Sequence, residues 1–281
     1  MQEDEVVHGV IMINDVEFNK ISRMVYDHFG INLSDSKKSL VIGRLQKVLK
    51  KHNFNSFREY IDYLEKGNPA ESLSELVNRI STNHTFFYRE YDHFEFFEKV
   101  ALPEVKAFRT KQGTRKIKLW CAAASKGDEP YTIMIHLKRF FGHDYSLWDT
   151  GLLATDISED ALREAVNGIY PLERVDKIDK PTLQQYFDFE DGRYRVKEEL
   201  RRDVMFRKFN LMTSIFPLKG DFDMIFCRNV MIYFDNKTKA ELAKKLYDQL
   251  RVGGYLFIGH SETLNGLGSQ FKHIRSAIYQ K

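Results

Sequence analysis

Cysteine is scarce in this sequence of 281 residues, which contains only Cys121 and Cys227. Both thiols lie in apolar runs that are typical of strands, so a structural disulfide in a reducing compartment is not expected. Two thiols without an accompanying cluster of histidines do not make a zinc site. We therefore predict that the protein binds no metal.

Long hydrophobic runs are also absent, since no apolar stretch approaches the roughly 18 residues that a membrane-spanning helix needs. The first residues, MQEDEVVHGVIM, are acidic, whereas a secretory signal begins with basic residues. The 43 Lys and Arg residues are nearly balanced by 40 Asp and Glu residues, and a net charge of +3 gives no argument for nucleic acid. We expect a cytoplasmic protein that neither inserts into a membrane nor binds nucleic acid.

The composition that remains, 43% hydrophobic and 30% charged residues, is that of a globular chain long enough for one large domain or two modest ones. Residues 14 to 80 show apolar residues at three- and four-residue spacing, which predicts helices. We expect the second of these helices to begin at Ser34 or Asp35, and a later one to be capped by Asn55 and to end near Gly67.

A run of basic residues distinguishes this helical region. Between Ser36 and Arg58 there are seven basic residues and no acidic one: Lys37, Lys38, Arg44, Lys47, Lys50, Lys51 and Arg58. The period of the pattern places most of them opposite the apolar stripe of the helix. This is either an ordinary solvated face or a docking surface for an acidic partner, and in the second case Arg44 and Lys47 are expected to face that partner.

After a connecting helix, short apolar runs alternate with helical stretches. The runs are IKLWCAA (117–123), GLLATDIS (151–158), VMFRKFN (204–210), DMIFCRNV (223–230), GGYLFIGH (253–260) and one last edge strand in HIRSAIYQK. Strand and helix in alternation predict a mostly parallel, doubly wound α/β sheet. Residues 168–203 interrupt the rhythm with a short helix and a hairpin around Glu190, Asp191 and Gly192, which indicates an inserted subdomain.

Ligands of such sheets bind at the carboxyl ends of the strands. The first strand leads into AAASKGDEPY, which has one glycine and is not a dinucleotide fingerprint. Asp156 ends the second strand, where a carboxylate can accept hydrogen bonds from both hydroxyls of a ribose. Arg228, Asn229 and Tyr233 follow a later strand and form either a structural network or part of a pocket. His84, His93, His136 and His260 have no partners at metal-ligand spacing.

In order along nearly the whole chain, these motifs resemble those of the chemotaxis receptor glutamate methyltransferases, the CheR family. The resemblance is carried by ISTNHTFFYRE (80–90), LWCAAASKGDEPYTIMI (119–135), LLATDIS (152–158), RNVMIYFD (228–235) and GGYLFIGHSETL (253–264). The loop after the first strand departs from the family's usual ACSTGEEP, with Ala124 for cysteine, Lys126 for threonine and Asp128 for glutamate. Gly127 and Glu129 are retained, so we expect cofactor binding to survive.

The resemblance implies a layout of three parts. Residues 1–80 would form an all-α domain, 81–115 a linker with its helix, and 116–281 a class I S-adenosylmethionine-dependent methyltransferase domain of Rossmann-like fold with the β-rich insertion at about 168–203. It also implies which residues would line the S-adenosylmethionine pocket: Asn83, Thr85, Arg89, Glu129, Asp156, Asn210, Leu211, Arg228 and Asn229. Within it, Asp156 would hold the ribose, Glu129 would meet the cationic amino group, and Asn210 with Leu211 would frame the adenine.

The activity implied is methylation of glutamate carboxylates on the acidic helices of a chemoreceptor cytoplasmic domain, with S-adenosylhomocysteine as the second product and adaptation as the role. Arg89 and Tyr233 are the expected catalytic residues, which would orient the acceptor carboxylate, although Arg89 could instead grip the methionine carboxylate. The basic helix with Lys37, Lys38, Arg44, Lys47, Lys50 and Lys51 would dock the receptor. The alternative is a catalytically silent module that senses S-adenosylmethionine or another nucleotide on a receptor.

Overall fold

The computed structural model describes residues 6–7, 10–66 and 69–281. They form two compact units. The first contains the described residues up to Thr82 together with Tyr233–Asp235, and the second contains Asn83–Ile232 and Asn236–Lys281. None of the helices in the described part of the chain has the length and apolar character that crossing a membrane demands.

The first unit is mostly helical. Its elements are β1 (Val6–Val7), β2 (Val10–Ile11), α1 (Asp15–Phe29), a 3₁₀ turn (Asp35–Lys37), α2 (Lys38–Lys51), α3 (Phe57–Lys66) and α4 (Pro69–Ile80). The side chains of Asn14 and Glu17 form a reciprocal capping box at the start of α1, and Gly30, with φ of 68°, ends that helix. The apolar faces of the four helices then meet in one core around Ile21, Leu45 and Phe57.

Two helix boundaries differ from the sequence expectations. Ser34 precedes the 3₁₀ turn without a capping hydrogen bond from its side chain, and α2 begins only at Lys38. The cap of α3 is Ser56 and not Asn55, because the Ser56 hydroxyl accepts a hydrogen bond from the Glu59 N–H at 3.1 Å. The expected end of that helix at Gly67 lies outside the described residues.

The second unit is built on a sheet of seven strands in the order β11-β12-β10-β9-β3-β4-β8. Its principal elements are α5 (Tyr91–Phe96), a π-helical turn (Phe97–Ala101), α6 (Leu102–Lys111), β3 (Leu119–Ala122), α7 (Asp128–Phe141), β4 (Leu152–Asp156), α8 (Glu159–Asn167), β8 (Val204–Lys208), β9 (Phe222–Phe226), α12 (Asn236–Gln249), β10 (Leu250–Phe257), β11 (Lys272–Arg275) and β12 (Ile278–Gln280). The strands from β10 through β9, β3 and β4 to β8 are parallel. The doubly wound α/β fold expected from the sequence is therefore confirmed.

The end of the chain differs from the expectation of a single edge strand. Residues 272–280 form a hairpin of two strands, in which β12 pairs antiparallel with β10 and β11 forms the edge. The first strand of the sheet, β3, lies between β4 on one side and β9 on the other. The order of the strands therefore reverses at β3. In sheets of this kind, ligands bind at the carboxyl ends of the strands at such a switch point.

The inserted subdomain is confirmed as a separate antiparallel sheet in the order β5-β7-β6. Its elements are β5 (Ile169–Pro171), α9 (Leu172–Val175), α10 (Lys180–Tyr186), β6 (Phe187–Glu190), β7 (Arg193–Val196) and α11 (Glu198–Arg201). Asp191 and Gly192 form the turn between β6 and β7 with φ of 49° and 74°. Two consecutive positive φ values are the requirement of a two-residue hairpin turn, which explains the Asp-Gly pair.

Candidate functional site

The loop from β3 to α7, residues 123–127, lies at the switch point of the sheet. Ala123, Ser125 and Gly127 have positive φ values of 67°, 49° and 94°. This contorted backbone directs the Ser125 N–H to Oδ2 of Asp156 at 2.8 Å. The Ser125 hydroxyl is buried and has no hydrogen-bond partner in the described part of the chain. A buried orphan hydroxyl beside a helix amino terminus is the kind of group that a polar ligand would satisfy.

Asp156 ends β4 and is buried, with 6% of its surface exposed. Its Oδ1 accepts the N–H of Ser158 at 2.8 Å, and its Oδ2 accepts that of Ser125. Burial raises the pKa of this carboxyl, and the backbone N–H donors oppose the rise. A carboxylate has about four acceptor positions, so two remain after these bonds. Asp156 is therefore fixed in place and still able to accept from two hydroxyl groups.

Arg228 follows β9 and is buried between two carboxylates. Its Nη1 donates to Glu129, and its Nη2 donates to Glu90 at 3.0 Å and to the carbonyl of Arg89 at 2.5 Å. Burial lowers the pKa of Arg228, but Glu129 and Glu90 more than reverse this, and the net pKa lies above its usual value. Glu129 also accepts a hydrogen bond from the Cys121 thiol at 3.3 Å. Two carboxylates around one guanidinium leave an excess of negative charge, which suits a cationic ligand.

The segment with Asn83, Thr85 and Arg89 ends in a strained turn, because Tyr88 and Glu90 have φ of 59° and 57°. Bulky side chains rarely adopt such values unless the surroundings enforce them. Here the bonds from Arg228 to the Arg89 carbonyl and to Glu90 hold the turn. The Arg89 side chain donates to the carbonyl of His84 at 3.0 Å. The structure thus joins the backbone carbonyl of Arg89 and the side chains of Arg228 and Glu129 in one network, whereas the Arg89 guanidinium lies against its own segment.

Asn229 extends that network. Its φ is 57°, its Nδ2 donates to Oε1 of Glu90 at 3.0 Å, and its N–H donates to Oε2 of Glu262 at 2.9 Å. Glu262 also accepts the N–H groups of Gly259 and Ile232. Glu262 lies in the motif GGYLFIGHSETL, from which no role for it was predicted. Burial raises the pKa of Glu262, which its backbone donors oppose.

Asn210 and Leu211 follow β8 at the same edge, next to the end of β4. The N–H of Phe209 donates to the carbonyl of Asp156 at 2.9 Å, which places the two segments side by side. The Asn210 side chain accepts the N–H of Met212 at 2.9 Å, and Lys245 donates to the Leu211 carbonyl at 2.7 Å. The loop beside Asp156 is thus held by its own backbone and by a lysine of α12.

Tyr233 lies in the other unit. It ends a 3₁₀ turn, Met231–Tyr233, and its carbonyl accepts the N–H of Asn32 at 2.8 Å. Nearby, Oδ2 of Asp235 accepts the hydroxyl of Tyr26 at 2.7 Å. The structure therefore groups Tyr233 with the helical unit and Arg89 with the sheet. A role for Tyr233 in orienting the acceptor stays a prediction.

The inserted sheet contributes contacts to the cofactor loop that the sequence did not reveal. The hydroxyl of Tyr170 in β5 donates to the carbonyl of Lys126 at 2.7 Å. Arg174 in α9 makes a two-bond ion pair with Asp128, the first residue of α7, which is fully buried. The Lys126 side chain pairs with Glu164 at 2.9 Å. Lys126 and Asp128, two of the three departures from the family's usual loop, thus both contact neighbouring residues.

His93 and His260, which have no partners at metal-ligand spacing in the sequence, lie next to each other in the structure. Glu90, His93 and His260 offer donor atoms that all lie within 4.8 Å of one another. His93 is fully buried, and burial together with Arg228 lowers its pKa to about 4. More than 160 residues separate His93 from His260, so a search for ligands at short spacing could not find the cluster.

The basic helix α2 is exposed only in part. Lys38 pairs with Asp15 at 2.6 Å and Lys51 with Glu75 at 2.8 Å. Arg44 donates to the carbonyls of Ile80 and Ser81 and to the Thr82 hydroxyl. Its guanidinium is therefore hydrogen-bonded to the end of α4 and the residues that follow it. The remaining lysines of the run are exposed and lack an ion-pair partner among the described residues; they are Lys37, Lys47 and Lys50.

Comparison with known proteins agrees with this architecture. Residues 83–280 match the family model "CheR methyltransferase, SAM binding domain", and residues 16–81 match "CheR methyltransferase, all-alpha domain". A chemotaxis protein methyltransferase of Borreliella burgdorferi is 43% identical over 96% of this chain and 96% of its own. A protein of the same name from Escherichia coli is 33% identical over 96% of this chain and 92% of its own. The chain therefore belongs to the CheR methyltransferase family.

Proposed function

We propose that this protein transfers a methyl group from S-adenosylmethionine to glutamate side chains on the cytoplasmic helices of chemoreceptors. The products would be glutamyl methyl esters and S-adenosylhomocysteine, and the role would be sensory adaptation. Support comes from relatives that are named chemotaxis protein methyltransferases at up to 43% identity. The observation that carries the proposal is the network in which buried Arg228 pairs with Glu90 and Glu129, at the edge of the sheet where Asp156 keeps acceptor positions.

The residues at this edge fit S-adenosylmethionine. Asp156 would accept both ribose hydroxyls, and the orphan hydroxyl of Ser125 would find a polar partner. The excess negative charge of Glu129 and Glu90 around Arg228 would favour the cationic methionine end. Asn210 and Leu211 would frame the adenine, next to Asp156. The rest of the pocket would be lined by Asn83, Thr85 and Asn229. Arg228 would support that side of the pocket, because it holds the turn at Arg89.

When bound, S-adenosylmethionine supplies a methyl group that its sulfonium already activates. A glutamate carboxylate is ionised near neutral pH, so the protein needs no strong base. Its residues must instead orient the carboxylate and exclude water, which is how positioning lowers a barrier. We assign that orientation to Arg89 and Tyr233. Arg89 would act as a guide rather than a tight clamp, because only contacts that strengthen in the transition state raise the rate.

The assay is incubation of the protein with methyl-labelled S-adenosylmethionine and a receptor cytoplasmic fragment. Label that is released by mild base as methanol identifies an ester, and a fragment whose acceptor glutamates are replaced by alanine is the control. Binding of S-adenosylmethionine without transfer of label would favour the silent sensing module. Label that is stable to base would show a different acceptor chemistry, and either result would refute the proposal.

Arg89→Ala separates the two roles that remain open for this residue. If Arg89 orients the acceptor, turnover falls at least about tenfold, or 1.4 kcal/mol in the barrier, while affinity for S-adenosylmethionine is kept. If affinity falls by the same factor, Arg89 instead holds the cofactor's carboxylate. Glu95→Ala is a control on the neighbouring helix, because Glu95 pairs only with exposed Lys99 in the described structure. Normal turnover of Arg89→Ala would contradict both roles.

We also propose that the exposed lysines of the first unit dock the receptor. A helix with several glutamates is a negatively charged rod, and the positive charges of the α2 lysines would steer and hold it. Lys47 and Lys50 are the residues best placed for this, because they are exposed and unpaired in the described structure, whereas Arg44 is bound to the end of α4. Each exposed pair contributes about 0.2 to 1 kcal/mol, so several must act together.

Reversal of both charges, Lys47→Glu with Lys50→Glu, tests this surface. We expect a higher KM for receptor at low salt, a smaller dependence of KM on salt, and unchanged affinity for S-adenosylmethionine. The matched control reverses two exposed lysines of the second unit, Lys219→Glu with Lys237→Glu. If the two double variants behave alike, the basic run is only a solvated helix face.

A further inference from the structure

We propose that Glu90, His93 and His260 form a binding site for a divalent transition metal ion of intermediate softness, with Zn²⁺ as the probe. This inference goes beyond the proposed methyl transfer and does not depend on it. It also departs from the sequence expectation that the protein binds no metal. The donor atoms of the three side chains lie within 4.8 Å of one another. Two imidazoles and one carboxylate are a donor set that suits such ions.

The state of His93 is the first independent support. Its side chain is fully buried, and neither ring nitrogen has a hydrogen-bond partner in the described part of the chain. A buried polar group without a partner costs about 1 to 3 kcal/mol, so such groups in folded proteins call for a water or an ion. Its Nδ1 lies 3.6 Å from Oε2 of Glu90, so one of the ring nitrogens without a partner is near a carboxylate of the cluster.

The second support is the orientation of His260. One of its nitrogens, Nε2, lies 3.0 Å from the carboxylate of Asp92. Metal-binding histidines are commonly held in this way, with a carboxylate on one nitrogen and the metal on the other. The rings of His93 and His260 are nearly perpendicular, with centroids 4.6 Å apart. The side chain of His260 is 40% exposed, so this ligand is accessible from solvent.

The third support is charge. Asp92 pairs with His260, and Glu90 lies beside His93 and pairs with the guanidinium of Arg228, so two carboxylates and one guanidinium lie around the two imidazoles. The Oε2 of Glu90 that faces His93 already accepts one bond from Arg228, and a carboxylate oxygen keeps a second lone pair. A divalent cation would offset the excess negative charge. Metal–nitrogen and metal–oxygen bonds of about 2.1 Å place ligand atoms about 3.4 Å apart. The donor atoms lie within 4.8 Å of one another, so some of them must approach by up to about 1.4 Å when the ion binds.

The experiment uses the full chain, stripped with a chelator and dialysed. Titration with Zn²⁺ by calorimetry should show one site per chain, and Co²⁺ should give the visible absorption of a nitrogen- and oxygen-bound ion. His260→Ala removes one ligand at the surface and should weaken this site at least tenfold, and Asp92→Asn should weaken it about 10- to 100-fold. His143→Ala is the control, because His143 is exposed and lies far along the chain from the cluster.

Three results would overturn the inference. The first is the absence of Zn²⁺ binding to wild type. The second is binding that His260→Ala leaves unchanged, which would place the ion elsewhere on the surface. The third is an equal loss in His260→Ala and His143→Ala. Circular dichroism of each variant excludes a folding defect as the cause, and His260→Gln provides a second substitution of the same ligand.

Discussion

Gly127 offers the sharpest test of how the cofactor loop is built. A Cβ added at this position would lie 2.8 Å from the Tyr170 hydroxyl oxygen, 2.9 Å from the Ala165 Cβ and 3.1 Å from the Ala165 Cα. The residue also has a φ of +94°. Gly127→Ala therefore combines backbone strain with steric overlap. The overlap includes the backbone of Ala165 in α8, which cannot shift without disturbing that helix.

The expected magnitude follows from these two effects. A positive φ costs a residue with a Cβ about 1 to 2 kcal/mol. Overpacking of a well-filled site adds about 1 to 3 kcal/mol. Gly113→Ala provides the matched control, since Gly113 has a φ of +71° but no atom of the described residues lies within 4 Å of the added Cβ. We expect Gly127→Ala to lower the free energy of unfolding by about 2 to 5 kcal/mol, and Gly113→Ala by no more than about 2 kcal/mol.

Urea unfolding of both variants measures this difference, and calorimetric titration with S-adenosylmethionine shows whether the loop still binds. Removal of the nearest atom in the double variant Gly127→Ala with Tyr170→Phe should recover part of the loss, so that the two changes are not additive. If Gly127→Ala is no less stable than Gly113→Ala, or if the double variant shows strict additivity, the close approach of Tyr170 to this loop does not govern its conformation.

Three further predictions concern single side chains. Asp156→Asn should weaken binding of S-adenosylmethionine by about 1 to 3 kcal/mol in calorimetry, and unchanged affinity would remove the ribose role. Arg44→Ala should lower the free energy of unfolding by about 1 to 2 kcal/mol, since it uncovers the carbonyls at the end of α4, whereas Lys47→Ala should have no effect in the same urea titration. Burial raises the pKa of Glu75, but the hydrogen bonds from Lys51 and His52 outweigh it and the net pKa lies below its usual value. This carboxylate therefore stabilises the fold at neutral pH and loses that effect as the pH falls below about 4.5. Urea unfolding of Glu75→Gln at about pH 7 and 3.5 should show a smaller difference than wild type, and an equal difference would contradict the assignment.

The sequence predicted those features that depend on local pattern. Alternating apolar runs and helical stretches identified the parallel sheet, and the Asp191-Gly192 pair identified the hairpin of the insertion. The position of Asp156 at a strand end followed from the same rule. The sequence does not decide between neighbouring polar residues, as the cap of α3 shows. Ser56 and Asn55 are both good capping residues, and only the backbone geometry selects Ser56.

The site itself depends on contacts that join distant parts of the chain. Arg228 reaches Glu129 across 99 residues and Glu90 across 138. Tyr170 reaches the Lys126 carbonyl across 44 residues, and Arg174 reaches Asp128 across 46. No periodicity in one sequence carries such information, so the roles of Glu262, Tyr170 and Arg174 emerged only from the fold.

The contacts of the inserted sheet have a consequence for protein engineering. Because Tyr170 and Arg174 support the loop between β3 and α7, the insertion is not an accessory that can be exchanged at its ends alone. A chimera that receives residues 168–203 from a relative would place foreign side chains against Lys126 and Asp128. Transplants within the family should therefore carry the loop 123–128 together with the insertion, as one inherited unit.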